Sequence, residues 1–502
     1  QEAVTYIEKP KRLFFHASTT LQTSCILSLT LPPMSLTGKG ILIAIIDSGI
    51  RYTHEDFRNF DGTTRILSIW DQSIIPTPLN GFTPPSGYTT GSEFTQTTIN
   101  DALSASTTQE QLRLLPSNDN TGHGTAVALI AAGNGRTNPN LIGVAPESDL
   151  LVVKLGNPSN SDFPLTTQLM RALSYVSTFA LDRNQPLVIN LSLGNTYGDH
   201  QGTSLLERYL DTISEIGKTS ICVGSGNEAS SGGHTSGQLL PAKTTTSTLA
   251  ISPYTTSLNV QLWKHYIDTF SLQITAPSGA YHTFPISQIE TLRIDLDNVE
   301  LLIYIGLPTP YSISQEIFID FLPTNVYLAQ GIWSFTLLPS RIVNGRYDFY
   351  LPSSGVRNTD TRFYSPDPVK TLTIPSTATK VITVGAYDPV LDSYAFFSGR
   401  GNDQSPLLPK PDLVAPGVAI EVPTSTLSTT TYSGTSFATP YVTGSCALLM
   451  EWGILRKNDP YLYGEKMKAY LQKGAKTLRS FTEYPNTQVG YGSLCLNQSF
   501  PL

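Results

Sequence analysis

Serine is a weak nucleophile near neutral pH. It becomes a strong one when a base takes its proton and a third group orients that base. Three segments of this chain supply those parts: Ile45-Ile46-Asp47-Ser48-Gly49, Asn120-Thr121-Gly122-His123-Gly124-Thr125 and Gly434-Thr435-Ser436-Phe437-Ala438-Thr439-Pro440. The chemistry they imply is acyl transfer. Ser436 attacks a carbonyl, His123 takes the proton and returns it, and Asp47 fixes the imidazole tautomer. Asn227, in Gly224-Ser225-Gly226-Asn227-Glu228, adds a side-chain amide able to donate to the oxyanion of a tetrahedral intermediate.

Each residue also has a plainer reading. Asp47 is an acid in a strand-to-loop turn, Ser436 a helix cap, and Asn227 a turn residue in left-handed backbone. The glycines flanking His123 fit a packed histidine poorly, because they leave backbone open to close approach. The other histidines lack such a setting, and His54-Glu55-Asp56 has no second histidine for a zinc-protease helix. Taken together, the four segments favour the catalytic reading.

The elements that position these residues alternate. Ile41–Ile46 is a near-continuous aliphatic run, as expected of a parallel strand buried on both faces, and 150–153, 187–189 and 220–223 read the same way. Helical patterns span His123 to Ala132, Thr166 to Leu181 and Ser204 to Ile216. The expected class is α/β, a mostly parallel sheet with helices on both faces. From about 240 to 370 the period becomes two, in Leu258/Val260/Leu262, Phe270/Leu272/Ile274, Leu292/Ile294/Leu296, Ile317/Ile319/Phe321 and Trp333/Phe335/Leu337. Turn signals at Pro277-Ser278-Gly279 and Asn344-Gly345 separate the runs. That pattern predicts an inserted all-β jelly roll or sandwich. The α/β pattern resumes at 381–384 and in a helix beginning at Thr435. The expected organisation is therefore an N-terminal arm over 1–34, a first catalytic part over 35–235, the β insertion over 236–370 and a second catalytic part over 371–502.

Composition narrows the function. With 502 residues, 40% hydrophobic and 14% charged, the chain is globular in character, and a net charge of −7 without a long basic run weighs against nucleic acid as a partner. The longest apolar run is far shorter than the ~20 residues needed to span a bilayer. Cys25, Cys222, Cys446 and Cys495 show no metal spacing and are expected as isolated reduced thiols.

The four segments, in the chain order Asp, His, Ser, resemble the subtilisin-like serine proteases. Gly143-Val144-Ala145-Pro146, Asn190-Leu191-Ser192-Leu193-Gly194 and 410–417 (KPDLVAPG) resemble further signatures of that family. The resemblance implies a serine endopeptidase with Asp47, His123 and Ser436 as triad and Asn227 in the oxyanion hole. It also implies that Ser192, Leu193 and Gly194 pair with substrate as an added strand and line the S1 pocket. A jelly roll inserted between Asn227 and Ser436, with 345–352 (GRYDFYLP), is similar to the Csp-type germination proteases of spore-forming clostridia and related Firmicutes peptidases. Some members of that group are pseudoproteases, so a non-catalytic or autoinhibited scaffold in a germination or signalling complex is the alternative.

Val4-Thr5-Tyr6-Ile7-Glu8-Lys9-Pro10 resembles the end of a subtilase prodomain, with Leu13-Phe14-Phe15 near the cleft. A plain N-terminal arm stays open beside it. The implied partners are a polypeptide substrate and the chain's own prodomain, matured by autocleavage. The implied location is secreted, extracytoplasmic or spore-associated in a Gram-positive bacterium. Calcium sites are common in the family, but the loop 134–140 (NGRTNPN) does not reproduce their ligand pattern. No metal or cofactor is expected. Ser159-Asn160-Ser161 stands where the resemblance places a glycine-rich subsite rim.

Overall fold

A computed structural model of the chain describes residues 20–156, 164–286, 290–402, 409–425 and 428–501. The prodomain-like segment 4–15 and the rim 159–161 lie outside the described residues. The first half contributes β1 (Leu42–Asp47), β2 (Ile66–Asp71), β3 (Ser92–Thr95), β4 (Asp149–Lys154), β5 (Leu187–Leu191) and β6 (Thr219–Gly224). With them come α1 (His123–Ala132), α2 (Thr166–Asp182) and α3 (Leu205–Ile213).

The insertion follows. It holds β7 (His234–Gln238), β8 (Thr245–Ile251), β9 (Leu258–His265), β10 (Thr269–Thr275), β11 (Tyr281–Pro285) and β12 (Glu290–Leu296). It continues through β13 (Val299–Ile305), β14 (Ser314–Pro323), β15 (Gly331–Arg341), β16 (Arg346–Tyr350) and β17 (Arg362–Phe363). The chain returns in β18 (Ile382–Asp388), β19 (Ser393–Tyr394) and β20 (Leu413–Pro416), then a hairpin of β21 (Ile420–Ser425) and β22 (Ser428–Tyr432), and α4 (Thr435–Met450).

The central sheet runs β19-β18-β6-β5-β1-β4-β2-β3, with β20 also on β18. Only the β2–β3 and β18–β19 pairs are antiparallel. Side chains of β1 alternate between two cores. Ile43 and Ile45 join α1 and α4 on one face, and Leu42, Ala44 and Ile46 join α2 and α3 on the other. A strand covered on both sides must be apolar at every position, which is why β1 reads as an unbroken aliphatic run. α3 starts as the sequence implies, with Ser204 and Glu207 forming a reciprocal capping box. It stops at Ile213 rather than Ile216, ahead of Gly217 in left-handed backbone.

The insertion is a sandwich of a five-stranded sheet (β11-β10-β15-β8-β17) and a six-stranded sheet (β12-β13-β14-β9-β16-β7). Its period-two apolar residues form one core of its own. Phe321 of one sheet packs edge-on against Trp333 of the other at 5.1 Å, and Phe335 meets Phe349 at 5.3 Å.

The outer face of the six-stranded sheet rests on the loop that follows β5. Gln261 accepts the Gly198 N–H at 3.1 Å, and Thr196 donates its hydroxyl to the Leu351 carbonyl at 2.7 Å. The Tyr350 ring is stacked between His200 at 4.1 Å and His234 at 4.5 Å. Burial is the main cause that pulls the His200 imidazole down to about 4, so it packs there neutral.

One cysteine expectation is corrected. Cys25 and Cys495 are joined in a disulfide, whereas Cys222 and Cys446 are free and buried. The partners are 470 residues apart. They meet because the start and end of the described chain pack on each other, with the Leu496 N–H bonded to the Ser24 carbonyl. Thiol titration of the denatured chain should find two reactive groups before reduction and four after it. The double variant Cys25→Ser/Cys495→Ser should lose about 2–4 kcal/mol in denaturant unfolding.

Candidate active site

Asp47 ends β1 at the carboxyl edge of the sheet, where α/β folds place their sites. Its Oδ1 lies 2.7 Å from His123 Nδ1 and accepts the Ser48 N–H at 2.7 Å. The histidine therefore carries its proton on Nδ1, which leaves Nε2 able to accept one. His123 is the first residue of α1, and Gly122 before it is left-handed at φ 76°. Gly124 is needed for proximity, because a Cβ there would lie 2.2 Å from the Gly49 carbonyl oxygen. The glycines on either side of His123 thus let the helix start against the Asp47 turn.

A residue missed at the sequence level organises that start. Asp119 is buried, and its carboxylate accepts the N–H groups of Gly122 (3.0 Å) and Thr125 (2.8 Å) and the hydroxyls of Ser48 (2.9 Å) and Thr125 (2.7 Å). Ser48 Oγ accepts the Gly124 N–H, and Thr121 Oγ1 accepts that of His123. Every N–H that a helix start leaves unpaired is satisfied. The negative charge also faces the positive end of the α1 dipole. A signal was present, an acid four residues before the histidine, but nothing local distinguishes it from a turn aspartate.

Burial pulls the His123 imidazole down. The charge and hydrogen bond of Asp47, with the charge of Asp119 behind, outweigh that and leave it above its ordinary value.

Ser436 is the second residue of α4, and its hydroxyl donates to the Ser192 carbonyl at 3.1 Å. Among the described residues no hydrogen bond joins it to His123, a contact that often forms only when substrate binds. Phe437 bridges the two, with its ring edge-on to the imidazole at 5.4 Å and stacked under Tyr432 at 4.6 Å. Pro440 lies inside α4 and has no N–H for the Ser436 carbonyl, its i−4 partner. Ser192 Oγ supplies that bond at 2.9 Å. Asn190 Nδ2 donates to the same Ser192 Oγ at 3.0 Å, and Thr443 donates to Asn190 Oδ1 at 2.9 Å.

Asn227 follows β6. Its Oδ1 accepts the Thr435 N–H at 3.0 Å and the Thr435 hydroxyl at 3.2 Å, while Thr435 Oγ1 accepts the Gly226 N–H at 3.1 Å. With the oxygen anchored, the amide nitrogen is left on the Gly434 side, two residues before Ser436. Ser192, Leu193 and Gly194 continue from β5, with Ser192 buried and Gly194 exposed. The structure thus joins Asp47 to His123, Ser436 to Ser192 and Asn227 to Thr435. It brings the substrate-strand candidates and Ser436 together through the Ser192 contacts.

The subtilase family, Peptidase S8, matches residues 38–301 and 353–492. The chain belongs to the subtilase family. Subtilases are serine peptidases, hydrolases that need no organic cofactor. The CspB protease of Clostridium perfringens, a solved structure, is 35% identical with a TM-score of 0.86 over 96% of each chain. The minor extracellular protease Vpr of Bacillus subtilis is 24% identical over 92% of this subtilase and 51% of its own length. A PII-type proteinase of Lacticaseibacillus paracasei is 30% identical over 209 residues, 40% of this chain and 10% of that protein. The chain spans about a tenth of the length of such curated proteinases.

For calcium, this subtilase's 134–140 loop is committed to its own turns. Asn134 Oδ1 accepts the Arg136 N–H, its amide donates to the Arg58 carbonyl, and Asn138 Oδ1 accepts the Asn140 N–H. Among the described residues no group of three or more His, Cys, Asp or Glu is arranged to hold a metal. No helix of the described residues is long and apolar enough to cross a membrane.

A base must be neutral to accept a proton, so kcat/KM should rise with pH through a midpoint above the 6.5 of an ordinary histidine. Asp119→Asn keeps the shape but removes one charge that raises His123, and should move that midpoint to lower pH. A purely structural role for Asp119 would lower kcat or stability and leave the midpoint in place.

Proposed function

We propose that the chain is a serine endopeptidase working through an acyl-enzyme. The observation that carries this is the 2.7 Å contact between Asp47 and His123, at the sheet edge where Ser436 and the anchored Asn227 amide also lie. An extended polypeptide adds as a strand along Ser192, Leu193 and Gly194, which places its scissile carbonyl against Ser436. The hydroxyl turns from the Ser192 carbonyl to His123. Its proton passes to Nε2 as Oγ bonds to the carbonyl carbon. Asp47 stabilises the imidazolium, and Asn227 Nδ2 with the Ser436 N–H holds the oxyanion at the positive end of α4. The C–N bond breaks as Nε2 gives its proton to the leaving amine. Water, deprotonated by the same base, then releases the acyl group and restores Ser436.

The reading extends to the whole protein. It includes maturation by prodomain autocleavage, and it takes 236–370 as an inserted domain that braces the loop after the substrate strand. An extracytoplasmic or spore-associated setting is supported by the Cys25–Cys495 disulfide and by the word extracellular in the name of Vpr.

A fluorophosphonate probe should label the folded protein stoichiometrically, and Ser436→Ala should abolish labelling. A folded protein that stays unlabelled would sink the proposal in favour of a non-catalytic scaffold. Asn227→Leu should lower kcat by about 10²–10³, the loss seen when subtilisin is deprived of its oxyanion amide, with little change in KM.

A further inference from the structure

We propose that the open part of the outer face of the six-stranded sheet is a docking surface for a basic, extended segment of a partner polypeptide. Glu316 and Asp320 of β14, on either side of Phe318, would hold its cations. This goes beyond the endopeptidase reading and does not depend on it.

The register of the sheet defines the surface. Ile317, Ile319 and Phe321 of β14 belong to the sandwich core, as do Ile303 and Val260 of the strands beside it. With a period of two, Glu316, Phe318 and Asp320 lie on the opposite face. Glu316 stands opposite Trp263, Phe318 opposite Tyr304 and Gln261, and Asp320 opposite Leu302 and Asn259. The loop after β5 covers one part of this face. There Gln261 accepts the Gly198 N–H, and Asn259 donates its amide to the Tyr197 hydroxyl at 3.1 Å. Toward β13 the face is open, with Tyr304 42% and Leu322 38% exposed.

The open part is short of a cation. Glu316 and Asp320 are half-buried, and neither side chain has a hydrogen bond or ion pair among the described residues. Burial alone raises both carboxyls, that of Glu316 to about 7, and no neighbouring charge offsets it. Glu300, on the same face, is by contrast paired with Arg293. A desolvated carboxylate is costly until a cation joins it. Two independent features favour the same ligand. Asn259 Oδ1, on the residue opposite Asp320, is buried without a donor. The Phe318 and Tyr304 rings lie 6.4 Å apart between the two acids, and aromatic faces attract ammonium and guanidinium groups.

Spacing selects the form of the ligand. Two residues four apart on a strand are separated by about 13 Å, too far to share one metal ion. A neutral chain would leave both charges unpaired, and a nucleic acid would be repelled. An extended polypeptide has the same rise per residue, so Lys or Arg side chains four apart reach both carboxylates, with their apolar stems over Phe318.

The test uses the full chain at pH 8, where both carboxylates are ionised, and fluorescein-labelled peptides of glycine and serine. The peptides are identical except at two positions four apart, which carry lysine, serine or glutamate. By fluorescence anisotropy the lysine peptide should bind about 10-fold or more tighter than the serine peptide, the factor that one charged hydrogen bond supplies. The glutamate peptide should bind weakest, and placing the two lysines side by side should lose most of the gain. Glu316→Gln/Asp320→Asn keeps the shape and should erase the lysine preference. Asp101→Asn/Glu110→Gln removes as much charge elsewhere and should leave it intact. A wild type that binds the lysine and serine peptides alike overturns the inference. So does a preference that survives Glu316→Gln/Asp320→Asn, or that is undiminished in Asp320→Asn alone should the double variant fail to fold. Sedimentation that finds a dimer, made monomeric by the same substitutions, would make a second copy the occupant and overturn it too. Fluorophosphonate labelling is read separately: an unlabelled protein that still prefers lysine removes the endopeptidase reading and leaves this inference standing.

Discussion

Pro440 removes from α4 the one N–H that would pair with the carbonyl of Ser436, and the site is organised around how that carbonyl is satisfied. A buried carbonyl left unpaired costs about 1–3 kcal/mol. Ser192 at the end of β5 fills the place, and Asn190 and Thr443 hold Ser192 in turn. Ser436 is thereby fixed to the end of β5. The same serine accepts the Ser436 hydroxyl through its backbone oxygen, so the edge grips the nucleophile at two points.

Close backbone approach is the second constraint. Gly124 lets α1 begin against the Asp47 turn, and Gly194 and Gly226 leave space that Thr373 takes. The helix start at His123 has little room for an ordinary capping side chain within the turn itself. Asp119 and Ser48 take that role from outside the helix. Two buried carboxylates, Asp47 and Asp119, consequently flank one imidazole. The electrostatics of His123 follow in part from the way the helix is capped.

The sandwich belongs to the same mechanical chain. It rests on residues 196–201 immediately beyond the substrate strand, through Gln261, Leu351 and the His200–Tyr350–His234 stack. Its return segment brings Thr373 against Gly194 and Gly226 and pairs Ile374 with Asn195. An insertion in sequence is therefore an abutment in space, and its entry and exit both lie beside the catalytic edge.

Much was legible in the sequence because it is locally encoded. The unbroken aliphatic β1, the period-two runs of the sandwich and the glycine-flanked His123 each follow from a rule that acts over a few residues. Asp47, His123, Asn227 and Ser436 could be named because their types and order are themselves the chemistry. What the sequence left undetermined depends on partners far apart along the chain. Cys25 and Cys495 looked like isolated thiols because 470 residues separate them, and only the packing of the first described residues on the last joins them. Asp119 looked like a turn acid until the fold placed six donors around it, from Ser48, Thr121, Gly122 and Thr125. Thr373 carries no local signal at all, because its closeness to Gly194 and Gly226 exists only in the folded chain. Residue type and local period thus determined the elements and the candidate reacting groups, and tertiary contact alone decided how those groups are held.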